Sequence, residues 1–225
     1  MIAGRDERRD AAAVDELKRS GPPEPDRRMA AFAREQEALA QEAVPDRTAA
    51  VGSKLPDAEL LATDGSLRSL AAAVGGGLAV LVFYRGAWCP YCNIALRTYQ
   101  DELLPGLRER GAELIAISPQ KPDGSLAMEE QHALRFAVLS DPGLVTARAL
   151  DILTEPTEEA RAAQLNLGLD LTEVNADGTA ILPMPTVVIV DADLAIRWID
   201  VHPDYTTRTE PAQILAALDG LGEMP

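Results

Sequence analysis

Both cysteines of the chain fall inside one ten-residue run, Phe83-Tyr84-Arg85-Gly86-Ala87-Trp88-Cys89-Pro90-Tyr91-Cys92, directly after the apolar stretch Leu78 to Tyr84. A continuous apolar run of that length, followed by Gly86 and then Pro90, reads as a buried strand turning into a helix. Proline suits the first helical position, which puts Cys89 at the N-cap and Cys92 in the first turn. Free backbone N–H groups and the positive end of the helix dipole favour a thiolate there, and the thiolate is the reactive form of cysteine. At the N-cap the sulfur of Cys89 is positioned to accept from the N–H of Cys92, so this reading makes Cys89 the more exposed and more thiolate-like sulfur.

Three roles compete for such a pair. Free cysteine is often simply buried. A zinc site needs about four ligands, and the two histidines, His132 and His202, are isolated from each other with no second Cys-x-x-Cys to join. A lone Cys-x-x-Cys beside a βαβ pattern points instead to redox chemistry, with no metal and no organic cofactor.

The balance of 21 basic against 36 acidic residues gives a formal charge of -15. That charge repels phosphate backbones and anionic lipid surfaces, so neither nucleic acid nor membrane is an expected partner. No apolar run reaches the length of a membrane span, and residues 1 to 10 carry Arg5, Asp6, Glu7, Arg8 and Arg9 with no apolar stretch after them. The expected location is cytoplasmic, where an isolated cysteine pair is more often catalytic than a structural staple.

Two regions are expected. Residues 1–50 read as a helical extension, with a short helix around Ala11 to Arg19, a Pro-rich break at residues 20–25, and an amphipathic helix from Asp26 to Ala43 bearing Met29, Phe32, Gln36 and Leu39 on one face. That face either packs on the chain's own surface or clamps a homodimer. Residues 51–225 read as one α/β domain. It opens with a hairpin turning at Thr63 to Ser66, followed by strand Leu78 to Tyr84 and a post-cysteine helix bent at Pro105 and ending at Gly111. Strand Glu113 to Ser118, a helix near Ser125 to Leu134, strand Ala137 to Ser140 and a helix from Pro142 to Leu150 continue the alternation. Beyond a helix around Thr157 to Leu165, strands Thr186 to Val190 and Ala195 to Val201 precede a helix from Pro211 to Leu221 capped by Thr209. The alternation implies a mixed central sheet with helices on both faces.

With these motifs in place, the chain resembles the thioredoxin fold, and more closely the peroxiredoxin-like branch of the alkyl hydroperoxide reductase and thiol-specific antioxidant superfamily. The resemblance rests on the run from Phe83 to Asn93, on Ile117-Ser118-Pro119-Gln120, on Pro183-Met184-Pro185-Thr186, and on Pro203-Asp204-Tyr205-Thr206 with Arg208, Glu210 and Pro211. Peroxiredoxins carry a P-x-x-x-T-x-x-C pattern and an arginine near the start of a later strand. With Cys92 in the peroxidatic place, the threonine place is Cys89, the proline place is Arg85, and the arginine place, counted back from Asp191, is Pro185. Cys89-Pro90-Tyr91-Cys92 is also similar to the glutaredoxin tetrapeptide, and Pro185 to the cis-proline that faces a thioredoxin dithiol, which would turn the Met184 backbone toward an extended substrate. The acid that thioredoxins bury six residues before the first cysteine is Phe83 here.

The resemblance implies a thiol-disulfide oxidoreductase cycling Cys89 and Cys92 between dithiol and disulfide, with Cys89 attacking a disulfide or oxidised thiol and Cys92 resolving. A thiol peroxidase, with Cys92 attacking a hydroperoxide and Cys89 resolving, is the alternative, and a non-enzymatic redox-sensing module is a third. Either enzyme needs a thiol reductant of thioredoxin or glutathione type. Trp88, Arg85, Tyr91, Met184 and Pro185 are the expected substrate-binding residues. Arg85 would lower thiol pKa values or meet an anionic group, Trp88 would line the groove, and Tyr91 would shield the dithiol. Asp204, Tyr205 and Arg208 form either a loop near the site, an interface, or a turn capping the last helix.

Overall fold

The structure, a computed structural model, describes residues 27–122 and 133–222. The expected helices at 11–19 and at 125–132 lie outside the described residues, and Ala133 and Leu134 are not helical. Within them, helix α1 (Arg27–Leu39) precedes a hairpin of β1 (Glu59–Ala62) and β2 (Leu67–Ser69). Next come α2 (Leu70–Val74), β3 (Ala79–Phe83) and α3 (Pro90–Thr98). A π-turn (Tyr99–Leu103) joins α3 to α4 (Leu104–Glu109), and β4 (Glu113–Ser118), β5 (Ala137–Ser140) and α5 (Val145–Ala149) follow. The chain closes through β6 (Leu153–Thr154), α6 (Glu158–Asn166), α7 (Leu171–Val174), β7 (Leu182–Pro183), β8 (Thr186–Val190), β9 (Ile196–Val201) and α8 (Pro211–Gly222).

Seven strands form one mixed sheet in the order β2-β1-β5-β4-β3-β8-β9, with β3, β4 and β5 parallel and β1, β2, β8 and β9 joining antiparallel. Strand β3 lies inside the sheet between β4 and β8, and its five residues are all buried. Successive strand residues point to opposite faces, so Ala79, Leu81 and Phe83 enter one core while Val80 and Val82 enter a second. The second core holds Cys89, Cys92, Leu96, Leu103 and Leu107, so the helix after the cysteines covers that face and brings both sulfurs down onto the sheet. Each large apolar side chain buried there contributes about 1.5–3 kcal/mol.

The bend expected at Pro105 is a π-turn just before it. Pro105 has no N–H and its ring would clash with the carbonyl of Asp101 in a regular helix. The chain widens instead, and the Leu104 N–H reaches back five residues to the Tyr99 carbonyl. Thr209 does not cap the last helix: its hydroxyl donates to Asp200 Oδ2 at 2.8 Å, while the Glu210 N–H donates to Gln213 Oε1 at 3.0 Å. Helix α1 lies on α6, fixed by Arg34 to Glu159 at 2.6 Å and by the Thr157 N–H donating to Glu35 Oε1 at 2.8 Å.

Candidate active site

Cys89 is the N-cap of α3 and Cys92 lies in its first turn; both are free thiols and both are buried, at 1% and 0% exposure. The turn that delivers them is held by named contacts. Ala87 N–H donates to Gln120 Oε1 at 2.7 Å, and Asn93 Nδ2 donates to the Ala87 carbonyl at 3.0 Å. Gly86 has φ +147°, and a Cβ there would lie 2.5 Å from Trp88 Nε1 and 2.9 Å from Gln120 Oε1, so only glycine lets the Trp88 ring fold back over the turn.

The electrostatic surroundings of the two sulfurs run opposite to the order expected from the helix start. Cys89 makes no side-chain cap bond to the backbone; its thiol donates to Cys92 instead. Arg208, from the loop after β9, donates from Nη2 to Cys92 Sγ at 3.1 Å. Burial alone would raise the Cys92 thiol. The bond from Cys89, the Arg208 charge, the Arg85 backbone N–H and the Arg85 charge together outweigh it and bring Cys92 from 9.0 down to about 5. Burial, and then the bond it gives to Cys92, push Cys89 well above the ordinary thiol value. The surroundings thus favour ionisation at Cys92 and disfavour it at Cys89. The N-cap position alone gives no sign of the guanidinium that reaches Cys92 from 116 residues away in the chain.

Arg208 is itself held. Its Nη1 donates to the Tyr205 and Thr207 carbonyls, each at 2.6 Å. On either side of it, Thr207 bonds His202 Nδ1 at 2.7 Å and Thr209 bonds Asp200 Oδ2, which also pairs with His202 Nε2 at 3.0 Å. The Tyr99 hydroxyl, at the start of the π-turn, donates to the Thr209 carbonyl at 2.7 Å. The guanidinium against Cys92 comes from position 208, whereas the peroxiredoxin register places its arginine at Pro185. The sequence signal of Arg208 is the polar segment His202 to Glu210 between the last strand and the last helix.

Arg85, Trp88 and Tyr91 gather beside the dithiol. Arg85 is 5% exposed, with its guanidinium carbon 3.9 Å from the Tyr205 ring centre and 5.2 Å from that of Trp88. Tyr91 and Tyr205 pack at 6.1 Å between ring centres, and Gln36 Nε2 from α1 donates to the Tyr205 hydroxyl at 3.2 Å. A cavity of about 450 Å³ opens over Cys89, walled by Met29 and Phe32 of α1, Gln164 of α6, Leu167 and Leu169, with Arg85, Trp88, Tyr91 and Tyr205 at its base. Cys89 lines it and Cys92 does not.

Met184 and Pro185 depart from expectation. No cis peptide bond occurs among the described residues, so the Met184–Pro185 bond is trans. The chain stays extended there: Met184 N–H donates to the Ile152 carbonyl at 2.7 Å and the Pro185 carbonyl accepts from His202 N–H at 2.9 Å, which carries β7 straight into β8. Neither residue lines the cavity over Cys89. They border a separate crevice of about 10 Å³ that also touches Glu35, Arg85 and Tyr205, room for one water.

Residues 51–199 match the model of the AhpC/TSA family. The chain belongs to the AhpC/TSA family. Among curated relatives, this chain is 29% identical over 82 residues to the thiol-disulfide oxidoreductase ResA of Bacillus thuringiensis subsp. konkukian, covering 36% of this chain and 47% of the relative. The ResA of Bacillus anthracis is 29% identical over 94 residues, 41% and 53% of the two chains, so the chain spans about half the length of the curated relatives it matches. Among solved AhpC/TSA-like folds, reduced Prx3 of Vibrio vulnificus, determined with hydrogen peroxide, superposes with a TM-score of 0.61 at 20% identity over 76% of this chain and 99% of that one. The peroxidoxin BcpB of Mycobacterium tuberculosis gives 0.58 at 19% identity over 76% and 97%. The fold is that of the thioredoxin-like peroxiredoxins.

No helix among the described residues is long and apolar enough to cross a membrane, and no group of three or more metal-binding side chains occurs among them.

Proposed function

We propose that the protein is a peroxiredoxin-like thiol oxidoreductase that cycles Cys89 and Cys92 between dithiol and disulfide, with Cys92 as the attacking sulfur and a hydroperoxide as its oxidant. The observation that carries this reading is the Arg208 guanidinium 3.1 Å from Cys92 Sγ, with the Cys89 thiol donating to the same sulfur. A thiolate held by a cation and a thiol donor is both ionised at neutral pH and surrounded by groups that stabilise charge on a departing oxygen.

The Cys92 thiolate attacks the distal peroxide oxygen, the O–O bond breaks, and the alkoxide or hydroxide takes a proton as Cys92 becomes a sulfenic acid. The Cys89 sulfur then attacks Cys92, water leaves, and the Cys89–Cys92 disulfide forms. In this reading Cys89 takes the hydrogen-bonding part of the missing threonine, and Arg208 takes the part of the missing arginine. Because Cys92 is fully buried, a slim hydroperoxide end suits it better than a disulfide, whose substituents flank the sulfur under attack.

Disulfide exchange beginning at Cys89 is the second reading, favoured by one observation: Cys89, not Cys92, lines the cavity. Its raised pKa works against it, since the neutral thiol is a poor nucleophile. Single-turnover oxidation of the reduced protein by hydrogen peroxide, an organic hydroperoxide and a small disulfide separates the readings. Peroxide oxidation is expected to be the faster and to consume both thiols; faster reaction with the disulfide would favour the second.

A further inference from the structure

The cavity over Cys89 is lined by Arg85, a buried cation that forms no ion pair with a carboxylate among the described residues. Its guanidinium stacks on the faces of Tyr205 and Trp88, and its charge also acts on the cysteine pair. Burying an unpaired charge is costly, and Arg85 Nε is a fully buried donor left unsatisfied. Elsewhere in the lining Gln164, 4% exposed, has its Oε1 buried without a donor among the described residues. The lining thus lacks an anion at Arg85 and an N–H group at Gln164, inside a cavity of about 450 Å³, within the range of small-molecule sites. Cys89 opens into the same space but is only 1% exposed, so the flat surface of a folded protein cannot reach its sulfur beneath α1 and α6.

We infer that this cavity is the entry site of the reductant, and that the reductant is a small thiol carrying a carboxylate and an amide N–H, of the glutathione type, rather than a protein dithiol. This rests on the dithiol cycle proposed above. The carboxylate pairs with Arg85 and an amide N–H donates to Gln164 Oε1. The thiolate of the small molecule attacks Cys89 Sγ, the Cys89–Cys92 bond breaks, and Cys92 leaves with the electron pair as a thiolate. A second small thiol then attacks the mixed disulfide, releasing Cys89 and a small-molecule disulfide. The direction of attack follows from access and from the leaving group: Cys89 is the sulfur in the cavity, and the sulfur stabilised by Arg208 leaves faster.

The net charge of -15 makes the test sharp, because bulk electrostatics alone would favour a cationic thiol. The full chain is oxidised with diamide, its disulfide is confirmed by thiol counting and peptide mass, and its reduction rate is measured with glutathione, mercaptopropionate, mercaptoethanol and cysteamine, each normalised to its thiolate concentration. Mercaptopropionate is expected to be the fastest, by roughly tenfold over mercaptoethanol. Arg85→Gln should abolish that preference. Gln164→Leu should slow glutathione by more than it slows mercaptopropionate, which has no amide. Cysteamine or mercaptoethanol reacting as fast as mercaptopropionate in the unmutated protein overturns the inference whatever the variants do. Failure of the Cys89–Cys92 disulfide to form would instead overturn the dithiol cycle, and the inference with it.

Discussion

Arg208 Nη2 lies 3.1 Å from Cys92 Sγ, and the segment that carries it there is pinned on both sides, by His202 to Thr207 and by Asp200 to Thr209. Burial works against the Arg208 charge, but the sulfurs, Cys92 before Cys89, more than restore it and raise its pKa. Replacing Arg208 with Gln removes an adjacent opposite charge, and the Cys92 pKa is expected to rise by about 1–3 units. The ultraviolet absorbance of the thiolate, followed against pH, measures this. An unchanged titration would detach Arg208 from the role assigned to it.

The pH dependence has a defined sign. Cys92 is depressed from 9.0 to about 5, so its ionised form contributes stability that is fully present above the unfolded value and is lost as pH falls through the folded one. Cys89 is raised, so it opposes folding only as pH climbs past the unfolded thiol range. Between pH 5 and 8 the unfolding free energy of the reduced protein is expected to rise with pH by more than that of Cys92→Ser. Denaturant melts of both proteins across that range check it, and parallel curves would contradict it.

The Asp200–His202 pair is expected to act on the thiolate only through the Arg208 loop. In Asp200→Ala, Thr209 and His202 lose a shared acceptor, a cost of about 1–3 kcal/mol in stability. The Cys92 pKa should rise by less than in Arg208→Gln, since the guanidinium remains. Alkylation rate against pH reads this directly; a stability loss without any shift in the alkylation midpoint would make the pair purely structural.

At Gly86 the backbone has φ +147° and no space for a Cβ beside Trp88 and Gln120. Gly86→Ala should cost about 1–3 kcal/mol in backbone strain alone and displace the Trp88 ring, changing its fluorescence. Unchanged fluorescence and stability would show that the turn can relax around a methyl group.

Strands β4, β5 and β8 were legible to the residue because each is a buried apolar run bounded by turn signals, and β3 differed by one residue at each end. The two-residue strands β6 and β7 and the four-residue α7 were not, since so short a segment has no periodicity to read. The position of the dithiol at the start of α3 was also readable, because Pro90 marks that helix start. Which sulfur is ionised was not. That depends on Arg208, a contact across the fold, and on the direction of one hydrogen bond between the cysteines. Pro185 misled for a related reason: proline before a strand suggests a cis bond by analogy, whereas pairing of Met184 with Ile152 keeps this chain extended.

A further expectation concerns redox poise. An Arg-stabilised thiolate favours the reduced form, so the Cys89–Cys92 couple should be more oxidising than thioredoxin, at roughly -230 mV or above, near the glutaredoxin range. Equilibration against glutathione with thiol counting gives the value. A potential at or below about -270 mV would count against a stabilised Cys92 thiolate.

The identity of the attacking sulfur is the central claim, and the single-cysteine variants test it. Reduced Cys89→Ser, which keeps a hydroxyl donor beside Cys92, and reduced Cys92→Ser are each given one equivalent of hydrogen peroxide, and the sulfenic acid is trapped with dimedone and located by mass. The account predicts rapid consumption of peroxide and a dimedone adduct on Cys92 in Cys89→Ser, with little of either in Cys92→Ser. Rapid labelling of Cys89 in Cys92→Ser, with Cys92 inert in the other variant, would contradict it and return the attacking role to Cys89.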